Sequence, residues 1–109
     1  MVVRQGDVYI LTLNANTGRH PYVVVQNDAT NSSRINSVIT CLITSNPRQA
    51  HIFTNVALRK GEANLLKDCA VNVSQVYTVE KSLLVRKLGT LRPGRVFEIL
   101  DCLRMLTDP

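Results

Sequence analysis

A chain of 109 residues is long enough for one modest core and too short for two, so a single domain over residues 1–109 is expected. Apolar residues make up 45% and charged residues 19%, which excludes an intrinsically disordered chain. Thirteen Lys and Arg against eight Asp and Glu leave a formal charge of +5, which favours phosphate-bearing or acidic partners.

Residues 5–13 are rich in β-formers and predict a first strand, returned by a turn over residues 14–18. Residues 20–28 follow, with three consecutive valines between Pro21 and an Asn-Asp turn signal. Uniform apolarity over so short a run predicts a strand buried on both faces in mid-sheet, with Pro21 at its first position. A polar stretch over 27–37 reads as surface loop with room for one helical turn. A third strand is expected over 38–44, ending at Thr44, Ser45, Asn46 and the breaker Pro47, with loop over 48–54.

Beyond it lie a short strand at 55–58, a turn around Gly61, and a long strand at 69–79. The alternation of that strand slips near Gln75, which predicts a bulge. Residues 80–84 read as a helical turn capped by Thr78, and 85–91 as a further strand. Val96, Ile99, Leu100, Leu103 and Leu106 form the core-facing stripe of a C-terminal helix opened by Pro93-Gly94. The expected fold class is mainly β: a small barrel-like antiparallel sheet with short helical turns and a helix closing one side.

No apolar run approaches the roughly 20 residues of a membrane span, and the first residues lack a signal-peptide core. Cys41, Cys69 and Cys102 are odd in number, far apart and in apolar settings, so they read as small hydrophobes of a reducing compartment. No Cys-x-x-Cys pair exists, and His20 and His51 lack ligand spacing, so no metal site is expected. The expected location is the cytoplasm, with no membrane association.

Several blocks in fixed order then carry a resemblance: Gly6-Asp7-Val8-Tyr9; Pro21-Tyr22-Val23-Val24-Val25-Gln26-Asn27-Asp28; and residues 39–46, ending Leu42-Ile43-Thr44-Ser45-Asn46. Asn55-Val56-Ala57-Leu58, residues 68–79 and Leu88-Gly89 extend it over nearly the whole chain. Together they resemble the MazF/PemK toxins of type II toxin–antitoxin systems. The resemblance implies an SH3-like β-barrel with a C-terminal helix, a homodimer, and an mRNA-directed endoribonuclease independent of metals or cofactors. It further implies inhibition by a short acidic antitoxin segment; tRNA and rRNA stay open as substrates.

Cutting RNA without a metal requires attack of a ribose 2′-OH on its own phosphate, leaving a 2′,3′-cyclic phosphate and a 5′-OH. One group takes the 2′-OH proton, another protonates the departing 5′-oxygen, and fixed donors hold the developing charge. The resemblance assigns this work to an arginine before the strand proline and a threonine ending the third strand. Thr44 matches the threonine, whereas position 20 is His20 and the arginine stands one residue earlier, at Arg19. Arg19 could take the arginine's place, His20 could supply acid/base function, or activity could be lost; joint action is the expectation. Arg19, His20 and Thr44 are therefore the expected catalytic residues.

Ser45, Asn46, Arg48 and Gln49 are candidates for RNA contact, as are Ser74, Gln75 and Tyr77, the last by base stacking. Lys81, Arg86, Lys87, Arg92 and Arg95 read most simply as a solvated basic face, with a nonspecific RNA field as the alternative. Two other functions share this fold: a non-catalytic poison of DNA gyrase, and a degenerate toxin that only sequesters antitoxin. The gyrase poisons end in a Trp-Gly tail, and this chain has no tryptophan and ends Leu-Thr-Asp-Pro.

Overall fold

The computed structural model describes residues 2–16 and 18–109; Met1 and Thr17, the latter within the expected 14–18 turn, lie outside the described residues. Six strands form one antiparallel sheet: β1 (Asp7–Asn14), β2 (Gly18–Val24), β3 (Ser37–Thr44), β4 (Val56–Leu58), β5 (Cys69–Glu80) and β6 (Arg86–Thr90). Their order in the sheet is β4-β5-β3-β2-β1-β6. The valine-rich strand is thus central, and its alternating side chains enter two cores. Val23 and Val25 join Val8, Ile43, Val71 and Ile99 on one face. Tyr22 and Val24 join Tyr9, Leu11, Val38 and Leu84 on the other. Burial on both faces is why this strand reads as continuously apolar.

β2 ends earlier than its composition suggests. The Val25 and Gln26 amides both donate to the Ile39 carbonyl, at 3.0 and 3.3 Å, so the regular ladder stops there. The buried Gln26 side chain then takes over the pairing with β3: the Ile39 amide donates to its Oε1, and its Nε2 donates to the Ser37 carbonyl. Asn31 completes the arrangement, accepting from Gln26 Nε2 at 2.9 Å and donating to the Gln26 carbonyl at 2.9 Å. The single helical turn expected in the polar stretch is present as α1 (Asp28–Asn31), capped by the Asn27 side chain. Pro21 lies inside β2 rather than at its start, opposite Ile10. It is tolerated because β2 gains its β3 neighbour only from Tyr22 onward, so one side of β2 needs no donor there.

The slip expected near Gln75 is a bulge. Cys41 pairs with Val76, but the next residue, Leu42, pairs with Asn72, which leaves residues 73–75 bowed out of the ladder. The turn over Lys81–Leu83 starts from Glu80 with no side-chain cap, so Thr78 does not cap it. In α2 (Pro93–Thr107), Ile99 is buried, and Val96, Leu100, Leu103 and Cys102 pack against the first core. Leu106 instead is exposed and does not join the stripe that packs against the core.

The sheet curls until its last strand, β6, meets the segment that follows β4. There, a 3-10 turn over Glu62–Asn64 carries Ala63 at φ +48° and Asn64 at φ +63°. The left-handed conformation is strained for alanine. It persists because Asn64 Nδ2 donates to the Leu88 carbonyl at 2.9 Å and because Gly89 packs on the Ala63 backbone. A Cβ at position 89 would stand 2.6 Å from the Ala63 carbonyl oxygen, so only glycine fits this approach.

Candidate active site

The cleft begins where β2 and β3 part. Above Tyr22 and Leu42 the two strands are no longer paired, and a cavity of about 470 Å³ opens between the leading half of β2, the end of β3 and the facing residues 65–69. Ile10, Pro21 and Ile43 line it from β1, β2 and β3, and Leu65, Leu66 and Leu88 add apolar walls. Arg19, His20, Ser45, Lys67, Cys69 and Arg86 supply its polar lining. The register explains why distant residues meet. Arg86 lies opposite Ile10, Ile10 opposite Pro21, and Leu11 opposite His20, so three adjacent strands set Arg86 and the Arg19–His20 pair at one end of the sheet.

No carboxylate lines this cleft among the described residues, and three of its side chains are Arg or Lys. Such a surface attracts a polyanion. Its apolar floor offers area for a base, and its rim offers donors for a phosphate. The Cys69 thiol is pushed above its ordinary value, first by burial and then by the neighbouring Asp68 carboxylate, with Lys67 opposing. It therefore remains a neutral thiol at pH 7. Among the described residues no group of three His, Cys, Asp or Glu side chains is placed to hold a metal ion.

Of the expected site residues, the fold brings Arg19, His20 and Ser45 together. Thr44 adjoins them but is not among the lining residues: it pairs with Ala70, and its Oγ1 accepts from the Asn46 amide at 3.2 Å. Asn46 caps the 3-10 turn over Pro47–His51 through the Arg48 amide, and Gln49 is held by Asn55 Nδ2. Ser74 and Gln75 occupy the β5 bulge and are exposed. Tyr77 Oη donates to Gln75 Oε1 at 3.0 Å, and its ring meets Tyr22 edge-on with centroids 5.6 Å apart. None of these β5 residues lines the cleft.

The sequence holds no sign of Lys67, whereas Arg86 is exposed, as a solvated basic face requires, and also lines the cleft. The basic face expected from sequence is divided. Arg86 lines the cleft, Lys87 pairs with buried Asp7 at 3.2 Å, and Arg95 pairs with Glu62 at 2.8 Å. The available signal was positional, since Arg86 opens a strand on the edge nearest the first hairpin.

A family model described as PemK-like, MazF-like toxin of type II toxin–antitoxin systems matches residues 4–107. The chain belongs to this family. Endoribonuclease MazF2 of Mycobacterium bovis is 32% identical to the toxin over 113 residues, covering 99% of each chain. Endoribonuclease MazF of Staphylococcus epidermidis is 32% identical over 107 residues, covering 94% of the toxin and 88% of the relative. Among solved structures, an endoribonuclease in complex with its cognate antitoxin from a mycobacterial species superposes with a TM-score of 0.84. That structure is 27% identical and covers 99% of the toxin and 98% of its own chain. The mainly β fold with a C-terminal helix is thus the fold of this family.

Proposed function

We propose that this toxin is a metal-independent endoribonuclease that cuts single-stranded RNA at the Arg19–His20 cleft. The observation that carries the reading is the convergence of a guanidinium, an imidazole and a hydroxyl on a cleft whose lining holds no carboxylate. Relatives named endoribonucleases, at 32% identity over most of the chain, support the reaction class.

In this reading the Arg19 guanidinium clamps the scissile phosphate, and it remains a cation throughout. His20 takes the proton from the 2′-OH as that oxygen attacks phosphorus. The P–O5′ bond breaks, the 5′-oxygen is protonated from solvent in the open cleft, and a 2′,3′-cyclic phosphate remains. Ser45 donates to a non-bridging oxygen, while Thr44 fixes the turn that presents it by accepting from the Asn46 amide. Asn46, Arg48 and Gln49 lie just beyond for the flanking RNA. Ser74 and Gln75 on the β5 bulge, with Tyr77 beside it, are candidates for base reading across a homodimer, in which a partner would bring that bulge to the cleft.

In this reading the toxin acts in the cytoplasm, and a cognate antitoxin with an acidic segment silences it by occupying the cationic cleft. No helix among the described residues is long and apolar enough to cross a membrane. Incubation with a long RNA in EDTA tests the reading: discrete cuts bearing 5′-OH ends are expected, and intact RNA would overturn it. Arg19→Ala and His20→Ala should each slow cutting by at least ~100-fold. Ser45→Ala should cost more than Thr44→Ala, and the reverse order would return the phosphate-holding role to the threonine.

A further inference from the structure

A second cavity, of about 450 Å³, lies further along the same wall. The first cleft takes Arg86 and Leu88 from β6 and Leu65 to Lys67 from the facing chain. The second takes Thr90 and Arg92 from the continuation of β6 and residues 59–63 from the same facing chain. The two lie on either side of a seam between β6 and residues 62–64, closed where Asn64 bonds the Leu88 carbonyl and Gly89 touches Ala63. β6 itself, from Arg86 to Thr90, extends about 13 Å at ~3.3 Å per residue, and Arg92 lies two residues beyond its end. The seam coincides with the strained Ala63 and Asn64, so the fold maintains this closure at a conformational cost.

Charge distinguishes the far stretch. Arg59, Lys60, Arg92 and Arg95 line it with a single carboxylate, Glu62. That carboxylate is already committed: Arg95 holds it at 2.8 and 3.1 Å, and its Oε2 also accepts from the Arg59 amide. Asp68 in turn accepts from the Lys60 amide at 2.9 Å. The chain's own carboxylates thus occupy the Arg59 and Lys60 backbone amides. Left for an incoming ligand are exposed cations on long stems, which suit phosphates held above the cavity.

We propose that the two cavities on either side of this seam lie on one path for single-stranded RNA, which crosses the seam on its outer surface, and that Arg59, Lys60 and Arg92 hold backbone phosphates flanking the bond cut at Arg19 and His20. The proposal rests on the nuclease reading of the first cleft. A linear chain with one negative charge per nucleotide fits both cavities: bases on the apolar floor of the first, phosphates on the cations of the second.

The test uses the full-length toxin carrying Arg59→Gln, Lys60→Gln and Arg92→Gln together, with thermal unfolding confirming that it folds. Once the cut sequence is mapped on a long RNA, kcat and KM are measured on oligonucleotides of about four and about sixteen nucleotides across a salt series. On the longer RNA, KM should rise about tenfold with kcat unchanged. The plot of log kcat/KM against log salt should flatten by about 2, three cations at ~0.7 each. The short RNA should be cut as by the wild type. Equal losses on both lengths, or none on the longer, would overturn the track. So would unchanged RNA kinetics with lost affinity for a poly-glutamate peptide, which would assign the cations to an acidic protein. If the wild type cuts neither RNA, the nuclease reading fails separately. Anisotropy of the labelled longer RNA then decides the track: weakened binding by the triple variant supports it, and unchanged binding overturns it.

Discussion

The centre of the sheet and the seam where it curls closed are built on opposite principles. At β2 and β3, side chains such as Val23, Val24, Cys41 and Ile43 are essentially inaccessible, and aliphatic packing on both faces fixes the backbone. At the seam between β6 and residues 59–69, one amide–carbonyl bond and one glycine contact join the backbones above buried Leu65 and Leu91, and the Arg95–Glu62 ion pair ties in α2. The centre sets where Arg19 and His20 stand, and the seam separates their cleft from the second cavity.

Substitutions can separate the two regions. The largest effect is expected at the centre: Ile43→Ala should destabilise the fold by about 2–5 kcal/mol, because it opens a cavity at a fully buried position. Denaturant unfolding checks this, and a loss under about 1 kcal/mol would show that the cleft floor collapses to refill the space. At the seam, Gly89→Ala should cost about 1–3 kcal/mol, since its Cβ must displace the Ala63 backbone. Cleavage of RNA should fall with it, measured well below the melting temperature. Unaltered cleavage would uncouple the seam from the active site.

A smaller effect is expected from acid. Glu62 is held below its ordinary value of 4.5, chiefly by its hydrogen bonds with Arg95, while the Arg95 pKa is raised in return. A lowered folded-state pKa means the pair's stabilisation is complete above 4.5 and disappears as pH falls through the folded value. Glu62→Gln should therefore remove about 1 kcal/mol or less at pH 7 and nothing at pH values below both titrations. A wild-type and variant difference that persists undiminished at low pH would show that the side chain acts through packing instead. The last contrast is chemical. Burial pushes the Cys41 thiol up to about 12, so an alkylating reagent at neutral pH should label it only when the whole sheet unfolds. Labelling of Cys41 at the rate of half-buried Cys69 would mean that the centre opens locally.

Much of the fold is visible in the chain because its signals are local. The three valines after Pro21 specify a doubly buried strand, the phase slip at Gln75 specifies a bulge, and Pro93-Gly94 opens an amphipathic helix. Capping was less legible, as Thr78 shows: the turn it was expected to cap starts from Glu80 without any side-chain bond. The site was legible only in part. Arg19, His20 and Ser45 flank strand ends and are noticed in sequence, whereas Lys67 and Arg86 reach the cleft by register and by curling of the sheet.

By itself the sequence determined strand identity, the central place of the valine-rich strand and, through its ordered blocks, the toxin family. These follow from hydrophobic period, turn chemistry and motif order, each carried by neighbouring residues. Only the tertiary structure decided that β2 and β3 separate beyond Tyr22 to open the cleft, and that residues 59–69 close against β6. It also decided that Arg86 and Lys67 join Arg19 and His20. The physical reason is that these relations join residues far apart in the chain, and strand register and sheet curvature, which no local pattern encodes, bring them together.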